Sequence, residues 1–289
     1  MAVLAASCAA APANAAFPGR NGRIATVYDE FDRGGGLDVN LRLLDRNGKT
    51  KAKFAGCSRP DESEPVSGDC PSDPAFFADG LRIAHALGER LAIQAVGGGP
   101  PLLLPKLTQR DLDPYPSPGG GKLVFAGKLA GKQNLFAVNT DGSGLRRITR
   151  RGGHSPSWSS RGEIAYSVGG KIWRMRVGGK RTYVATGGRP DWSPSGRSIV
   201  YLHRGSVYRV AARAGAARRR LVRRFALSAA FSPDGRSFAF GRIVDIGGSL
   251  FTARSGDGAR IRLIARGGEL PIGSTWVRWE TPVWQPRGG

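Results

Sequence analysis

The residues of this 289-residue sequence that could do chemistry are few, and its three histidines come first: His85, His154 and His203. Imidazole is a good ligand for divalent metals, and a bound metal can act as a Lewis acid on a substrate oxygen. Such ligands must converge at about 2.1 Å from the ion, whereas these residues belong to different repeats of the chain. The alternative is that they are unrelated surface histidines, and the sequence leaves both interpretations open.

Other catalytic patterns are missing from the sequence. It contains neither the G-x-S-x-G pattern of a nucleophile elbow nor the S-x-x-K pattern of serine acyl-enzymes. Its Gly-rich turns lack the strand–loop–helix context that a phosphate-binding loop requires. The sequence therefore favours a protein that is not an enzyme and needs no cofactor, with a divalent metal as the alternative.

One short sequence motif, called the phrase below, recurs along the chain. The repeat that it marks determines where all of these residues lie. Pro190 to Gly196 reads PDWSPSG, and related copies begin at residues 74, 114, 156, 229 and 282. Self-similarity at a period of about 40 residues is typical of propellers and solenoids. Each repeat reads as four short strands with Gly-rich turns between them, which predicts an all-β fold. Even the Arg-rich stretch at 210–224 falls at a turn and an outer strand.

The two ends of the chain complement each other. The first repeat begins with a second strand, at 23–28, and the last copy of the phrase, at 282–286, has no second strand after it. The carboxy-terminal strand can therefore complete the amino-terminal blade and remove the exposed sheet edges. This predicts a single domain over 17–289, a six-bladed β-propeller of four-stranded antiparallel blades closed by its last strand.

The amino terminus resembles an export signal. Residues 1–15 are small and apolar and end in an A-x-A pattern, although no basic residue precedes them. The stretch is too short for a membrane span, which needs about 20 residues. Cleavage would leave Cys57 and Cys70, which predicts one disulfide in an oxidising compartment. We therefore expect an exported monomer, either retained in the periplasm or cell envelope or released from the cell.

The charge of the chain is unevenly distributed. The formal net charge is +22, and residues 114–289 hold 31 Lys/Arg against 8 Asp/Glu. This excess suits nonspecific binding to a polyanion. The alternative is that arginine simply fills solvated positions in a sequence that is rich in it.

The repeat resembles that of the TolB-type, WD-like β-propeller proteins of bacteria. Residues 229–240, AAFSPDGRSFAF, and 190–201, PDWSPSGRSIVY, are close to the repeat of that family. The resemblance covers 17–289 and implies a secreted or periplasmic propeller that serves as a binding platform. Some similar propellers are lyases that hold a divalent metal with several histidines. For this chain that implies, as an alternative function, a metal-dependent lyase or hydrolase acting on an acidic saccharide.

The propeller fold predicts where a partner would bind. The residue before each copy of the phrase should rim the central channel, on the face that also carries the histidines; these are Asp73, Asp113, Ser155, Arg189, Ser228 and Thr281. Trp276 and Trp279 lie in an insertion before the last strand, where exposed aromatic residues suit a contact surface. We therefore expect a non-enzymatic binding or scaffold protein that docks a protein or cell-envelope polymer at the channel face.

Overall fold

In a computed structural model the protein is built of β-strands, with no helix among the described residues. The structure describes residues 18–31, 37–54, 56–59, 69–244, 247–266, 277–279 and 282–287. The predicted signal sequence, residues 1–15, lies outside these ranges.

The described strands run in chain order through six blades. The strands of blades 1 to 3 are β1 (Arg20–Phe31), β2 (Leu37–Leu44), β3 (Thr50–Lys53), β4 (Cys57–Arg59), β5 (Pro71–Phe76), β6 (Arg82–Leu87), β7 (Arg90–Ala95), β8 (Leu102–Leu103), β9 (Asp111–Pro116), β10 (Lys122–Leu129), β11 (Lys132–Asn139) and β12 (Arg146–Arg147).

The strands of blades 4 to 6 and of the carboxy terminus follow. They are β13 (His154–Trp158), β14 (Glu163–Val168), β15 (Lys171–Arg176), β16 (Thr182–Thr186), β17 (Gly188–Trp192), β18 (Ser198–His203), β19 (Ser206–Ala211), β20 (Arg218–Val222), β21 (Ala226–Phe231), β22 (Ser237–Val244), β23 (Gly247–Arg254), β24 (Arg262–Ala265), β25 (Val277–Trp279) and β26 (Val283–Arg287).

Blades 2 to 6 are four-stranded antiparallel sheets whose strands follow one another in sequence order. The first strand of each blade contacts the first strand of the next, from β5 through β9, β13 and β17 to β21, and β26 contacts both β21 and β5. These six inner strands therefore form a closed ring around a central channel, which confirms the predicted six-bladed propeller.

The repeated phrase builds the same turn in each complete blade. The last glycine of each copy has a φ between +62° and +75°, a left-handed conformation that glycine adopts without strain; these are Gly80, Gly120, Gly162, Gly196 and Gly235. Its N–H donates to the carbonyl three residues earlier, as from Gly196 to Ser193 at 2.8 Å. In four of the copies the hydroxyl of the serine at that earlier position accepts a second bond across the turn, as from the N–H of Ser198 to Ser193 Oγ at 3.1 Å.

The aromatic residue of the phrase lies in the core between blades. Trp158, Trp192 and Phe231 are buried, and Trp192 is fully so. The indole N–H of Trp192 donates to the carbonyl of Ser157 at 3.1 Å, which links blades 5 and 4. These rings therefore hold neighbouring blades together and are not placed to stack on a ligand.

The carboxy-terminal strand closes the ring. Strand β26 pairs antiparallel with β1, and Trp284 lies opposite Ile24. The buried side chain of Gln285 donates to the carbonyl of Gly80 at 2.7 Å and accepts from the N–H of Arg23 at 3.2 Å, so it bonds both blade 1 and blade 2. Blade 1 also extends beyond its neighbours, because β25 and β4 pair with the far ends of β1 and β2.

A disulfide fixes this extension, as the two cysteines predicted. It joins Cys57 in β4 to Cys70 just before β5, with Cα atoms 4.6 Å apart. Cys57 is buried against Val27 and Val39, so the bond connects the extension of blade 1 to the start of blade 2.

Candidate functional site: the channel mouth

The mouth of the channel is formed where each inner strand bulges. The register between the first two strands shifts at the predicted rim residues, for example between His154 and Ser157 in blade 4 and between Gly188 and Asp191 in blade 5. A bulge re-aims the side chain, and the proline that follows in blades 2 to 5 has no N–H to give to the ladder. The start of the phrase therefore determines the direction in which the side chain of the preceding residue points.

Four rim residues adopt a conformation that is unusual for residues other than glycine. Asp73, Asp113, Ser155 and Arg189 have φ values between +47° and +51°. Such backbone costs on the order of 1–3 kcal/mol at each position and persists where the surrounding structure holds it. Here the register of each inner strand shifts at the same place, as between Gly188 and Asp191, so the bulge fixes the direction of these four side chains.

The rim residues surround one cavity at the channel mouth. Asp73, Asp113, Ser155, Arg189 and Ser228 all line it, together with the residues that follow them in the phrase. Its volume is about 80 Å³, which is enough for a few water molecules or for one small group of a ligand. The sixth predicted rim residue, Thr281, lies outside the described residues.

The mouth is electrostatically polarised. Burial, and then the charge of Asp113, raise the pKa of Asp73 to about 6, and Arg189 lowers it by a smaller effect. Asp113 accepts a hydrogen bond of 2.8 Å from the N–H of Ser155 in the next blade. Two neighbouring carboxyl groups on blades 2 and 3 thus face the channel, and a guanidinium stands on blade 5. This arrangement suits a cationic group at the acidic pair.

A buried hydroxyl lies beside the mouth. Ser228 lines the cavity but is only 1% exposed, and its Oγ has no hydrogen-bond partner among the described residues. An unsatisfied buried hydroxyl costs about 1–3 kcal/mol unless a water molecule or ligand pairs with it. Because the Oγ is itself buried, a ligand can pair with it only if the surrounding rim side chains move.

A second polar layer lies below the rim and was missed by the sequence reasoning. The carboxylate of Asp191 accepts hydrogen bonds from the hydroxyls of Tyr115 (3.2 Å) and Ser157 (3.1 Å) and from the N–H of Phe231 (2.9 Å). These donors belong to blades 3, 4 and 6. The signal was available, because Tyr115, Ser157 and Asp191 all occupy the second position of their copies of the phrase, so equivalent inner strands hold them at one level of the channel.

The environment of Asp191 changes its acidity. Burial raises the pKa of this carboxyl to about 6, although its hydrogen bonds, that of Phe231 first, oppose the change. Burial, followed by the charge of Asp191, raises the pKa of Tyr115 well above its usual value, so the tyrosine remains a donor. Asp191, in blade 5, is therefore the common acceptor for donors of three other blades.

The structure does not bring the three histidines together. His85 lies within β6 rather than at its end and is 2% exposed, because the strand continues to Leu87 and takes the side chain into the core. His154 and His203 line a shared groove between blades 4 and 5. Among the residues that the structure describes, no three His, Cys, Asp or Glu side chains are grouped as metal ligands. The geometry thus lends no support to the metal-dependent alternative.

The predicted partner-contact tryptophans are only partly described. Trp276 lies outside the described residues. The backbone of Trp279 belongs to β25 and pairs with Tyr28 of β1, so this part of the insertion forms an added strand on blade 1.

Fold and channel define the chain as a six-bladed β-propeller closed by its carboxy-terminal strand. It is similar to TolB from Acinetobacter baumannii, with 21% identity, a TM-score of 0.70, and coverage of 92% of this chain and 67% of that one. It is also similar to a putative TolB from Agrobacterium tumefaciens, with 16% identity, a TM-score of 0.63, and coverage of 92% of this chain and 100% of that one. A chain of a nidogen/laminin complex is similar too, with 11% identity, a TM-score of 0.64, and coverage of 91% of this chain and 99% of that one.

These similarities confirm the resemblance to TolB-type propellers at the level of the fold. No protein-family model matches the sequence, and no curated protein matches it either. In the part of the chain that the structure describes, no helix is long and apolar enough to span a membrane.

Proposed function

We propose that this protein is an exported, non-enzymatic binding module whose channel mouth takes a cationic group of a protein or cell-envelope polymer. The observation that carries the proposal is the pair Asp73 and Asp113 on adjacent blades, which converge on one small cavity. Two carboxylates in a partly desolvated mouth attract an ammonium or guanidinium more strongly than carboxylates in open water.

Further features support a binding role. The recurrent left-handed rim backbone holds the acidic side chains in place before any partner arrives, which lowers the ordering cost of binding. The disulfide fits a protein that works outside the reducing cytosol. Structures of this fold include a chain from a nidogen/laminin complex, so the scaffold is compatible with protein binding.

The test begins with cross-linking in the organism that makes the protein. A photo-reactive amino acid placed at Ser155 on the rim should capture a partner, whereas the same residue at Ser143, in a turn on the opposite face, should not. The purified partner is then titrated with the wild type, with D73N/D113N, and with D141N as a control carboxylate on the opposite face. We expect D73N/D113N to weaken binding at least tenfold and D141N to leave it unchanged.

The pH dependence provides a second readout of the same site. Because Asp73 has a pKa of about 6, its charge is lost as the pH falls below that value, and partner binding should weaken in step. Equal capture from both faces, or full affinity in D73N/D113N, would show that the channel mouth is not the binding site.

A further inference from the structure

A groove runs along the seam between blades 4 and 5, on the face that carries the channel mouth. His154 is at its inner end, with Nδ1 3.2 Å from the rim hydroxyl of Ser155. His203 and Arg204 are at its outer end, and the groove has a volume of about 370 Å³. This 4/5 groove therefore opens beside the channel mouth, and its volume is in the range, roughly 300–1,000 Å³, of pockets that hold one drug-sized ligand, so it can take a short segment of a polymer.

The two blades that form the 4/5 groove are strongly basic. Residues 154–222, which span blades 4 and 5, hold 14 Lys/Arg against 2 Asp/Glu, a net charge of +12. Both acids are already engaged, since Glu163 pairs with Arg174, and Asp191 accepts its three bonds inside the channel.

The positive charge at the groove itself comes from Arg204, which lines it, and from Arg218, whose charge acts on His203. A carboxylate of blade 3 lies at the inner end, where Asp113 accepts a hydrogen bond from the N–H of Ser155 at 2.8 Å. The cationic side chains are therefore at the end of the groove away from the channel mouth.

The floor of the 4/5 groove is made of backbone and small polar groups. At Gly187 a Cβ would lie 2.4 Å from the carbonyl oxygen of Leu202, so the close approach of these segments requires glycine. Gly170 faces open space, because nothing lies within 4 Å of its Cβ position. Ser167 and Thr186 also line the groove, with their hydroxyls bonded to the N–H of Arg189 and to the hydroxyl of Tyr183, and Leu202 is the one large apolar side chain in its lining. This lining suits a hydroxyl-rich ligand better than a peptide that needs apolar pockets.

Aromatic and guanidinium groups flank the outer end. The ring of Tyr208 lies 5.9 Å from that of His203, and the guanidinium of Arg218 lies 5.2 Å from the Tyr208 ring. On the other side, the hydroxyl of Tyr183 is 2.9 Å from Thr186 Oγ1, and 40% of Tyr183 is exposed. Guanidinium groups held against rings keep their N–H edges available for carboxylates, and exposed rings offer an apolar face to sugars.

Burial and nearby arginines lower the pKa values of both histidines in the groove. Burial, followed by the charges of Arg218 and Arg204, lowers the pKa of His203, and burial and Arg189 lower that of His154. Both imidazoles are therefore neutral at pH 7, and each can donate one hydrogen bond and accept another, as a sugar hydroxyl requires.

We propose that the 4/5 groove binds an extended acidic polysaccharide, with its carboxylates on Arg204 and Arg218 and its hydroxyls on the histidines and on the polar floor. A nucleic acid would meet the charges equally well, but the disulfide points to an oxidising compartment where acidic glycans are the more accessible polyanions. The proposal does not depend on the channel mouth, because it uses different residues and a ligand of opposite charge.

The test uses polygalacturonate as the probe, in calorimetric titrations at several salt concentrations. Arg204 and Arg260 form a matched pair, since both are exposed and left-handed (φ +48° and +56°), and Arg260 lies in the turn before β24, on the opposite face. Asparagine tolerates this backbone. We expect R204N/R218Q to bind at least about ten times more weakly than the wild type, and R260N to bind within about twofold of it.

A third variant separates groove shape from charge. G170N adds a side chain to the open floor without changing the charge, and it should also weaken binding while leaving the unfolding midpoint near that of the wild type. Equal weakening by R260N, or polyphosphate or polyglutamate binding as tightly as polygalacturonate, would reduce the effect to general charge attraction and overturn the proposal. Absence of binding at low salt would overturn it as well.

Discussion

Oδ2 of Asp191 accepts a hydrogen bond of 2.9 Å from the backbone N–H of Phe231, so a side chain of blade 5 is bonded to the inner strand of blade 6. The other oxygen accepts from side chains of blades 3 and 4. The other polar bonds between blades described above join only two blades each, as from the N–H of Ser155 to Asp113 and from the indole of Trp192 to Ser157. This carboxylate therefore fixes the relative orientation of four blades.

Removing this carboxylate should destabilise the fold. In D191A, the donors of Tyr115, Ser157 and Phe231 lose their common acceptor in a half-buried channel, at a cost of about 1–3 kcal/mol for each donor that water does not reach. We expect the free energy of unfolding to fall by about 2–4 kcal/mol in urea titrations. D141A, which removes a carboxylate from an exposed turn, should change it by less than about 1 kcal/mol. Similar losses in both variants would contradict the bridging role.

The raised pKa of Asp191 makes a specific prediction about pH. Its folded pKa, about 6, lies above its value of about 3.9 in an unfolded chain. From pH 4 to pH 6 the folded state therefore binds the proton more tightly, and the wild type loses up to about 3 kcal/mol as the pH rises. D191N cannot titrate, so its stability relative to the wild type should improve over this range. A relative stability that does not change with pH in urea titrations would show that burial does not perturb this carboxyl.

The disulfide should stabilise the extension of blade 1. It closes a loop with a sequence separation of 13, which under the chain-entropy model contributes about 3 kcal/mol. We expect C57A/C70A to lower the free energy of unfolding by about 2–4 kcal/mol. In the wild type, dithiothreitol should produce a similar loss. If the reductant destabilises C57A/C70A as much as the wild type, its effect does not come from this bond.

The last strand should be required for a closed ring. A chain that ends at residue 281 lacks β26, so β1 loses its inner partner and Gly80 loses its bond from Gln285. We expect the thermal midpoint to fall by about 10 °C or more, with self-association through the freed edges. A chain that ends at residue 287 keeps β26 and serves as the control. Equal midpoints for the two truncations would mean that the ring does not depend on this closure.

The sequence by itself determined the architecture and the rim of the channel. The phrase around Trp192 repeats because every blade needs the same turn, with a left-handed glycine, and the same interblade aromatic residue. The first repeat lacks a first strand and the last copy of the phrase lacks a second strand. Residues 282–286 were therefore expected to complete blade 1 and close the ring. The residue before each phrase could be assigned to the rim because its position depends only on the local geometry of one blade.

Tertiary structure alone decided which side chains meet across blades. Asp191 joins residues 34 to 76 positions away in the sequence, and the 4/5 groove joins His154 to His203 while His85 lies in the core. Such contacts depend on the twist of each blade and the angle between neighbours. Twist and angle result from the packing of all six blades together, whereas the repeat pattern shows only which residues the fold of a single blade needs.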